Sequence, residues 1–379
     1  MLEIETPDRG RRFKTAMIWR WPIISFLFSV AMSAAPGFSP ARTPLTPSAN
    51  SAAEHASSRP APVCASCHEE AKWQPATSMG HALETVEECT TFTSHPLLTF
   101  KDQGYTYRIE RRGSQGFYTV TDGEQSLTLP IRWVMGASFG IGQTYILEKD
   151  GQLYQSRVSY YRKLKGLELT IGAQGSVPAD LLEAAGHLME LDEELKCFGC
   201  HATNATDGRK LTLNVMTPGV QCERCHGPTE KHVQWATKGE SPLVLMNDLS
   251  KLSTEQVTNF CGQCHRTFSD VAATGRFDIT DLRFQPYRLT MSKCYDGDDA
   301  RIKCLACHDP HHEVDANPLD YDSKCLACHG GGKVGAKKCS VSTNRCTTCH
   351  MPKIELPGAH FKFSDHRIRI VKAHEPFPG

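Results

Sequence analysis

From His95 to about Gly175 the chain alternates polar and apolar side chains with a period of two. Residues 105–110 (YTYRIE), 117–121 (FYTVT), 126–133 (SLTLPIRW) and 152–160 (QLYQSRVSY) are rich in β-branched and aromatic side chains. Turn signals separate them at Arg112-Gly113, Asp122-Gly123 and Asp150-Gly151. The pattern predicts an antiparallel meander of about five or six strands. The Gly-rich stretch 133–142 (WVMGASFGIG) is not a phosphate-binding loop, because it lacks the lysine and the spacing.

The period then changes. Residues 178–195 (PADLLEAAGHLMELDEEL) predict one helix, with Leu181, Leu188, Leu191 and Leu195 on a broad apolar face. Residues 1–35 carry a basic start (Arg9, Arg11, Arg12, Lys14, Arg20), an apolar run from Trp21 to Ala31, and small residues Ser33, Ala34 and Ala35. This predicts a cleaved export signal, with a retained anchor as the competing reading. The run is shorter than the roughly 20 apolar residues that span a bilayer. Residues 36–63, rich in Pro, Ser and Ala, predict a flexible linker.

Cysteine and histidine change the picture. The pentapeptide C-x-x-C-H ends at His68 (Cys64, Cys67), His201 (Cys197, Cys200), His226 (Cys222, Cys225), His265 (Cys261, Cys264), His308 (Cys304, Cys307), His329 (Cys325, Cys328) and His350 (Cys346, Cys349). With 17 Cys and 17 His in 379 residues, chance supplies only ~0.03 such pentapeptides. Zinc knuckles and thioredoxin-like pairs also use C-x-x-C, but neither has a reason to place His next seven times. Covalent c-type haem does. Two thiols add to the two vinyl groups, and the adjacent His supplies the proximal imidazole. The expected cofactor is therefore seven covalently attached haem c groups.

Six motifs occupy residues 197–350, about 154 residues, or ~26 per haem. That is too little side chain for a conventional core, so stacked haems are expected to form it. The expected fold is a mainly α and irregular multihaem cytochrome c, packed around haems, with a β-rich antiparallel insert. Its segments are an export signal (1–35), linker (36–63), first haem segment (64–94), β-rich insert (95–175) and six-haem domain (176–379). The insert either covers a haem face, forms a partner surface, or is structural. The motifs at Cys304, Cys325 and Cys346 recur every 21 residues, a local repeat.

Ten His remain after the seven proximal ones, enough for seven bis-His irons with three to spare. His81, His95, His187, His232, His311, His360 and His366 are the candidate distal ligands. Met79 competes with His81, and an ordinary helix His is the competing reading of His187. His232 and His311 follow their own motifs too closely to reach the far face of their own haem, so each is expected to serve a neighbour. Asp365 is expected to hydrogen-bond a nearby imidazole. His312 and His374 are reserves, and His55 lies in the linker. Cys294 and Cys339 are expected to form a disulfide, with free thiols or an iron ligand at Cys294 as alternatives.

The stretches CERCHGPTEKH (222–232), CLACHDPH (304–311) and CTTCHMPK with His360 and Asp365-His366 beyond it resemble the multihaem cytochrome c superfamily. That superfamily includes the tetrahaem cytochrome receiving electrons from hydroxylamine oxidoreductase, more distantly pentahaem nitrite reductase, and exported multihaem proteins with a β-rich insert after the first haem. The resemblance covers roughly residues 64–370. It implies His232, His311, His360 and His366 as distal ligands and electron transfer as the role. No C-x-x-C-K site is present, so the chain departs from nitrite reductase.

The sequence thus predicts an exported, periplasmic or extracytoplasmic electron carrier with a redox protein donor and acceptor. The alternative is an oxidoreductase acting on a small nitrogen or sulfur oxyanion at one five-coordinate haem. A third reading, a wire-like assembly, rests on haem density alone. With 42 basic and 42 acidic side chains the apoprotein has no nucleic-acid footprint. Outside the export signal no segment is apolar enough to span a membrane.

Overall fold

The computed structural model describes residues 62–238, 246–298, 301–330 and 337–372. The expected export segment, the linker up to residue 61, His55 and His374 lie outside the described residues.

The alternating stretch folds as expected, and further. One antiparallel sheet contains β1 (Leu83–Glu84), β2 (Leu97–Asp102), β3 (Tyr105–Arg112), β4 (Gln115–Thr121), β5 (Ser126–Met135), β6 (Gly142–Lys149), β7 (Gln152–Tyr161), β8 (Gly166–Leu169) and β9 (Gly186–Leu188). Strands β2 to β8 run as a meander in sequence order, while β1 pairs with β5 and β9 with β7. The first and last strands of the meander, β2 and β8, approach one another, so the sheet curls nearly into a barrel. The meander has seven strands rather than five or six. The sheet also draws β1 from the first motif segment and β9 from beyond residue 175.

Period-two burial makes the core. In β4, Gly116, Tyr118 and Val120 are buried between more exposed neighbours. Tyr118 and Val120 pack with Tyr107, Ile109, Tyr145, Leu147 and Val158 in one cluster. Each such large side chain contributes about 1.5–3 kcal/mol by leaving water. Asp150 and Gly151 both take positive φ, 52° and 74°, the geometry of a type I′ turn, which matches the twist of the β6–β7 hairpin. Gln103-Gly104 does the same between β2 and β3, with φ of 49° and 89°.

The helix expected over 178–195 is two helices. The first, Leu181–Ala185, is capped by Asp180, whose side chain accepts from the Leu182 and Glu183 N–H groups. The chain then extends, and Gly186–Leu188 pairs with β7. A Cβ at Gly186 would sit 2.1 Å from the Gln155 carbonyl oxygen, so the close backbone approach needs glycine. Leu188 and Leu191 are left exposed, 38% and 36%. Strand pairing overrides helical periodicity here. The second helix, Leu191–His201, runs into the second C-x-x-C-H.

Each of the last six motifs has its cysteines on a helix: Leu191–His201, Cys222–His226, Thr254–His265, Cys304–Cys307, Asp322–His329 and Cys346–His350. A spacing of three on a helix places both sulfurs on one side. Beyond residue 220 only seven hydrophobic side chains are buried among the described residues: Val257, Val271, Leu282, Tyr287, Leu289, Leu356 and Ala359. Those residues surround five motifs, and side chains alone do not supply a core there. Among the described residues no helix is long and apolar enough to cross a membrane.

Candidate metal centres

All fourteen motif cysteines are half-buried or exposed, whereas Cys89, inside the sheet, is buried. The motifs adjoin one another through their thiols. Cys222 lies within hydrogen-bond reach of Cys64, Cys200 of Cys264, Cys261 of Cys304, and Cys346 of Cys325. Cys225 and Cys264, and Cys307 and Cys325, are near enough for one thiol's charge to raise the other's pKa. Electrostatic influence between thiols thus passes from each site to a neighbour. It runs from the first motif to the third, fourth, fifth, sixth and seventh, with the second joined at the fourth.

The imidazoles pair across motifs. His68 faces His232 with ring centroids 6.1 Å apart. His226 faces His311 at 6.1 Å, the rings parallel to within 5°. His308 faces His366 at 6.2 Å. Two imidazoles on opposite sides of one metal atom, each bonded at about 2 Å, hold their centroids about 6 Å apart. Each pair joins a motif histidine to one of the histidines expected as a distal ligand. The residues fit a haem iron held from both faces. Among the described residues no three of His, Cys, Asp and Glu converge on a metal position, so these contacts are pairs and not cages.

The other ring nitrogen is occupied, which fixes the tautomer. The Nδ1–H groups donate to backbone carbonyls: His201 to Ala82 at 2.8 Å, His226 to Asn247 at 3.0 Å, His329 to Lys337 at 3.0 Å, His350 to Arg369 at 2.8 Å and His366 to Ser364 at 3.0 Å. His311 Nδ1 donates to the Asp309 carboxylate at 3.1 Å. Nε2 is then the lone-pair nitrogen, the form that binds metal. Burial pushes the His201, His265 and His308 pKa values down, although the Ala82 carbonyl partly opposes this at His201. At His366 burial lowers the value to about 4, with the Ser364 carbonyl opposing it. These imidazoles are held neutral, as ligation requires. His265 retains accessible surface and yet is crowded enough to be desolvated, the combination of a side chain lining a crevice.

The remaining expected ligands sit apart from these three pairs. His81 Nδ1 is 2.9 Å from Glu84. His360 has a buried Nε2 without a hydrogen-bond partner, and its ring meets Tyr161 edge-on at 4.9 Å. His95 lies 5.2 Å from the Tyr160 ring, with a buried Nδ1 lacking a partner. A buried ring nitrogen without a partner costs about 1–3 kcal/mol, and a metal bond would remove that cost. His187 Nε2 is 2.8 Å from the Glu193 carboxylate, and that bond excludes ligation through the same atom.

Two expectations are corrected. Asp365 does not bond an imidazole. It is wholly buried and takes the Arg288 guanidinium in two parallel bonds of 2.8 and 2.9 Å. Arg369 adds a third bond at 2.6 Å. Cys294 and Cys339 are both exposed free thiols. Cys294 lies near enough to Cys328 of the sixth motif for that thiol to raise its pKa.

Several residues escaped the sequence. Asp322 accepts the Arg345 and Cys346 N–H groups at 2.6 and 2.8 Å, so the sixth motif's helix caps the seventh. Ser138 and Gln143, at the Gly-rich stretch, bond Glu84.

Residues 176–227 match the model of the family described as cytochrome c554 and c-prime. The matched segment contains the motifs at Cys197 and Cys222. The chain is also similar to the multiheme cytochrome MtrA of Shewanella baltica (strain OS185), with 28% identity over 93 residues. That alignment covers 24% of this chain and 21% of MtrA, so the chain spans about a fifth of the length of that relative. No solved structure matches the chain.

Proposed function

We infer, from the similarity of this chain to multihaem cytochromes c, that it transfers electrons between redox partners in the cell envelope, through seven covalently attached haems held by histidine on both faces. The observation that carries this reading is the set of three cross-motif imidazole pairs at 6.1–6.2 Å. An iron with both axial positions filled has no site for a substrate and changes little in geometry on gaining an electron.

In this reading the fourteen motif cysteines anchor the haems, and His68, His201, His226, His265, His308, His329 and His350 are proximal ligands. His232, His311 and His366 are distal ligands to the irons of His68, His226 and His308. His81 and His360 complete further irons, with His95 and the reserves His312 and His374 as remaining candidates. The bound haems supply one-electron chemistry. The chain's part is to hold the imidazoles oriented and to keep the sites adjacent. The closeness of thiols from different motifs supports a relay. The basic, apolar and small-residue order of residues 1–35 supports export.

Turnover assays test the reading. Mixed with reduced dye and nitrite, hydroxylamine or tetrathionate, the purified protein is expected to pass through reduction and reoxidation by mediators without consuming any of the three. Sustained consumption of one would favour the oxidoreductase reading.

A further inference from the structure

Glu84 is an enclosed carboxylate, 1% exposed, on a strand of only two residues. It lies opposite Val134 in the β1–β5 pair. Four donor contacts converge on it. His81 Nδ1 is at 2.9 Å, the Ser138 N–H at 3.1 Å, the Ser138 hydroxyl at 2.6 Å and the Gln143 amide at 3.0 Å. Carboxylate oxygens accept from donors of all these kinds.

The partners belong to the β-rich region, and its backbone holds them in place. Gln143 Nε2 also reaches the Gly136 carbonyl at 3.0 Å, and Gln143 Oε1 accepts from the Cys89 thiol at 3.4 Å. Gly136 takes φ of 102°, and a Cβ there would lie 2.3 Å from the Gly142 carbonyl oxygen. The carbonyl of Ala82 accepts both the Gly136 N–H and His201 Nδ1–H, each at 2.8 Å. Residues 81–84 thus hold two imidazoles by different acceptors. His201 donates to a neutral carbonyl, whereas His81 donates to a carboxylate.

We propose that Glu84 is a positioning residue that makes His81 a stronger donor to its iron and sets that haem at a lower potential than it would otherwise have. This rests on the reading of His81 as an axial ligand. A carboxylate acceptor draws the Nδ1 proton and raises electron density at Nε2, which favours ferric iron. The buried negative charge acts in the same direction. One role of the sheet is therefore redox tuning. Its Ser138 and Gln143 share the carboxylate with His81 and limit how strongly it pulls on that imidazole.

Spectroelectrochemical titration of the haem-loaded protein tests this. Glu84→Gln removes the charge and is expected to move one midpoint potential upward, with the other six unmoved. Ser138→Ala removes a competing donor from the carboxylate and is expected to move the same midpoint downward. Haem content and circular dichroism establish that each variant is folded. Unmoved midpoints in a folded Glu84→Gln protein overturn the proposal. Should Glu84→Gln not load haem, an unmoved Ser138→Ala protein overturns it. His81→Ala separates the two claims: one iron turning high-spin supports ligation, whereas a wholly low-spin spectrum overturns the ligand reading and this inference with it.

Discussion

An imidazole ligates well when its second nitrogen is committed elsewhere, and here that commitment differs from site to site. His226, His329, His350 and His366 donate to carbonyls, and His311 to Asp309. Replacing His232, His311 or His366 with Ala is expected to turn one low-spin iron high-spin in each case. The haem count should stay at seven, because the thioether bonds do not depend on the distal side. Electronic absorption and quantified haem check this. His187 serves as a contrast. Its Nε2 bond to Glu193 predicts that His187→Ala leaves the number of low-spin irons unchanged. The distal candidates were legible because histidine has few other reasons to be so numerous. The way they pair was not, since His68 and His232 are separated by more than 160 residues and only folding brings them together.

At the scale of elements, the chain after residue 277 is tied by one buried ion pair. Arg288, on helix Gln285–Thr290, and Asp365, after the final strand Lys362–Ser364, are both 0% exposed. Asp365→Asn leaves a buried guanidinium without its charge partner and is expected to cost about 3–5 kcal/mol, read by chemical denaturation. Burial pushes the Asp365 carboxyl up, but hydrogen bonds from Arg288 and the Arg367 N–H and the Arg288 charge outweigh it, and its pKa falls below 3.8. The folded value lies below the unfolded one. The contribution is therefore complete above about pH 3.8 and is lost as pH falls through the lower folded value. Acid unfolding of Asp365→Asn should lack this component.

The sheet offers a second prediction at this scale. Gly136→Ala forces a side chain into φ of 102° against the Gly142 carbonyl, a strain of roughly 1–3 kcal/mol, and should lower the melting temperature. The alternation that forms β2 to β7 was legible because period two and turn residues agree. The break at Gly186 was not. Its local pattern is helical, and the competing partner, the Gln155 backbone in β7, is remote in sequence. Neither was the Arg288–Asp365 pair, since isolated Arg and Asp side chains carry no periodic signal.

Across the whole molecule two kinds of interior meet. Up to about residue 220, burial is by tyrosine and aliphatic side chains in a curled sheet. Beyond it, few side chains are buried while motif cysteines and histidines crowd together. A part built this way depends on its cofactor for stability, so protein made without haem attachment is expected to keep β-sheet circular dichroism while losing cooperative unfolding of the C-terminal part. The mass of the exported protein checks the haem count: seven haems are expected on a chain beginning after about residue 35. Helical motifs bring thiols of different sites together, and the sheet gives His81 a carboxylate partner that the carbonyl-bonded imidazoles lack.

Electron paramagnetic resonance of the fully oxidised protein, before and after cyanide, tests the central claim most directly. Irons closed by histidine on both faces predict low-spin ferric signals accounting for all seven haems, unchanged by cyanide. A high-spin ferric signal that cyanide converts to low spin would contradict the account, because it would reveal an open iron where a substrate can bind.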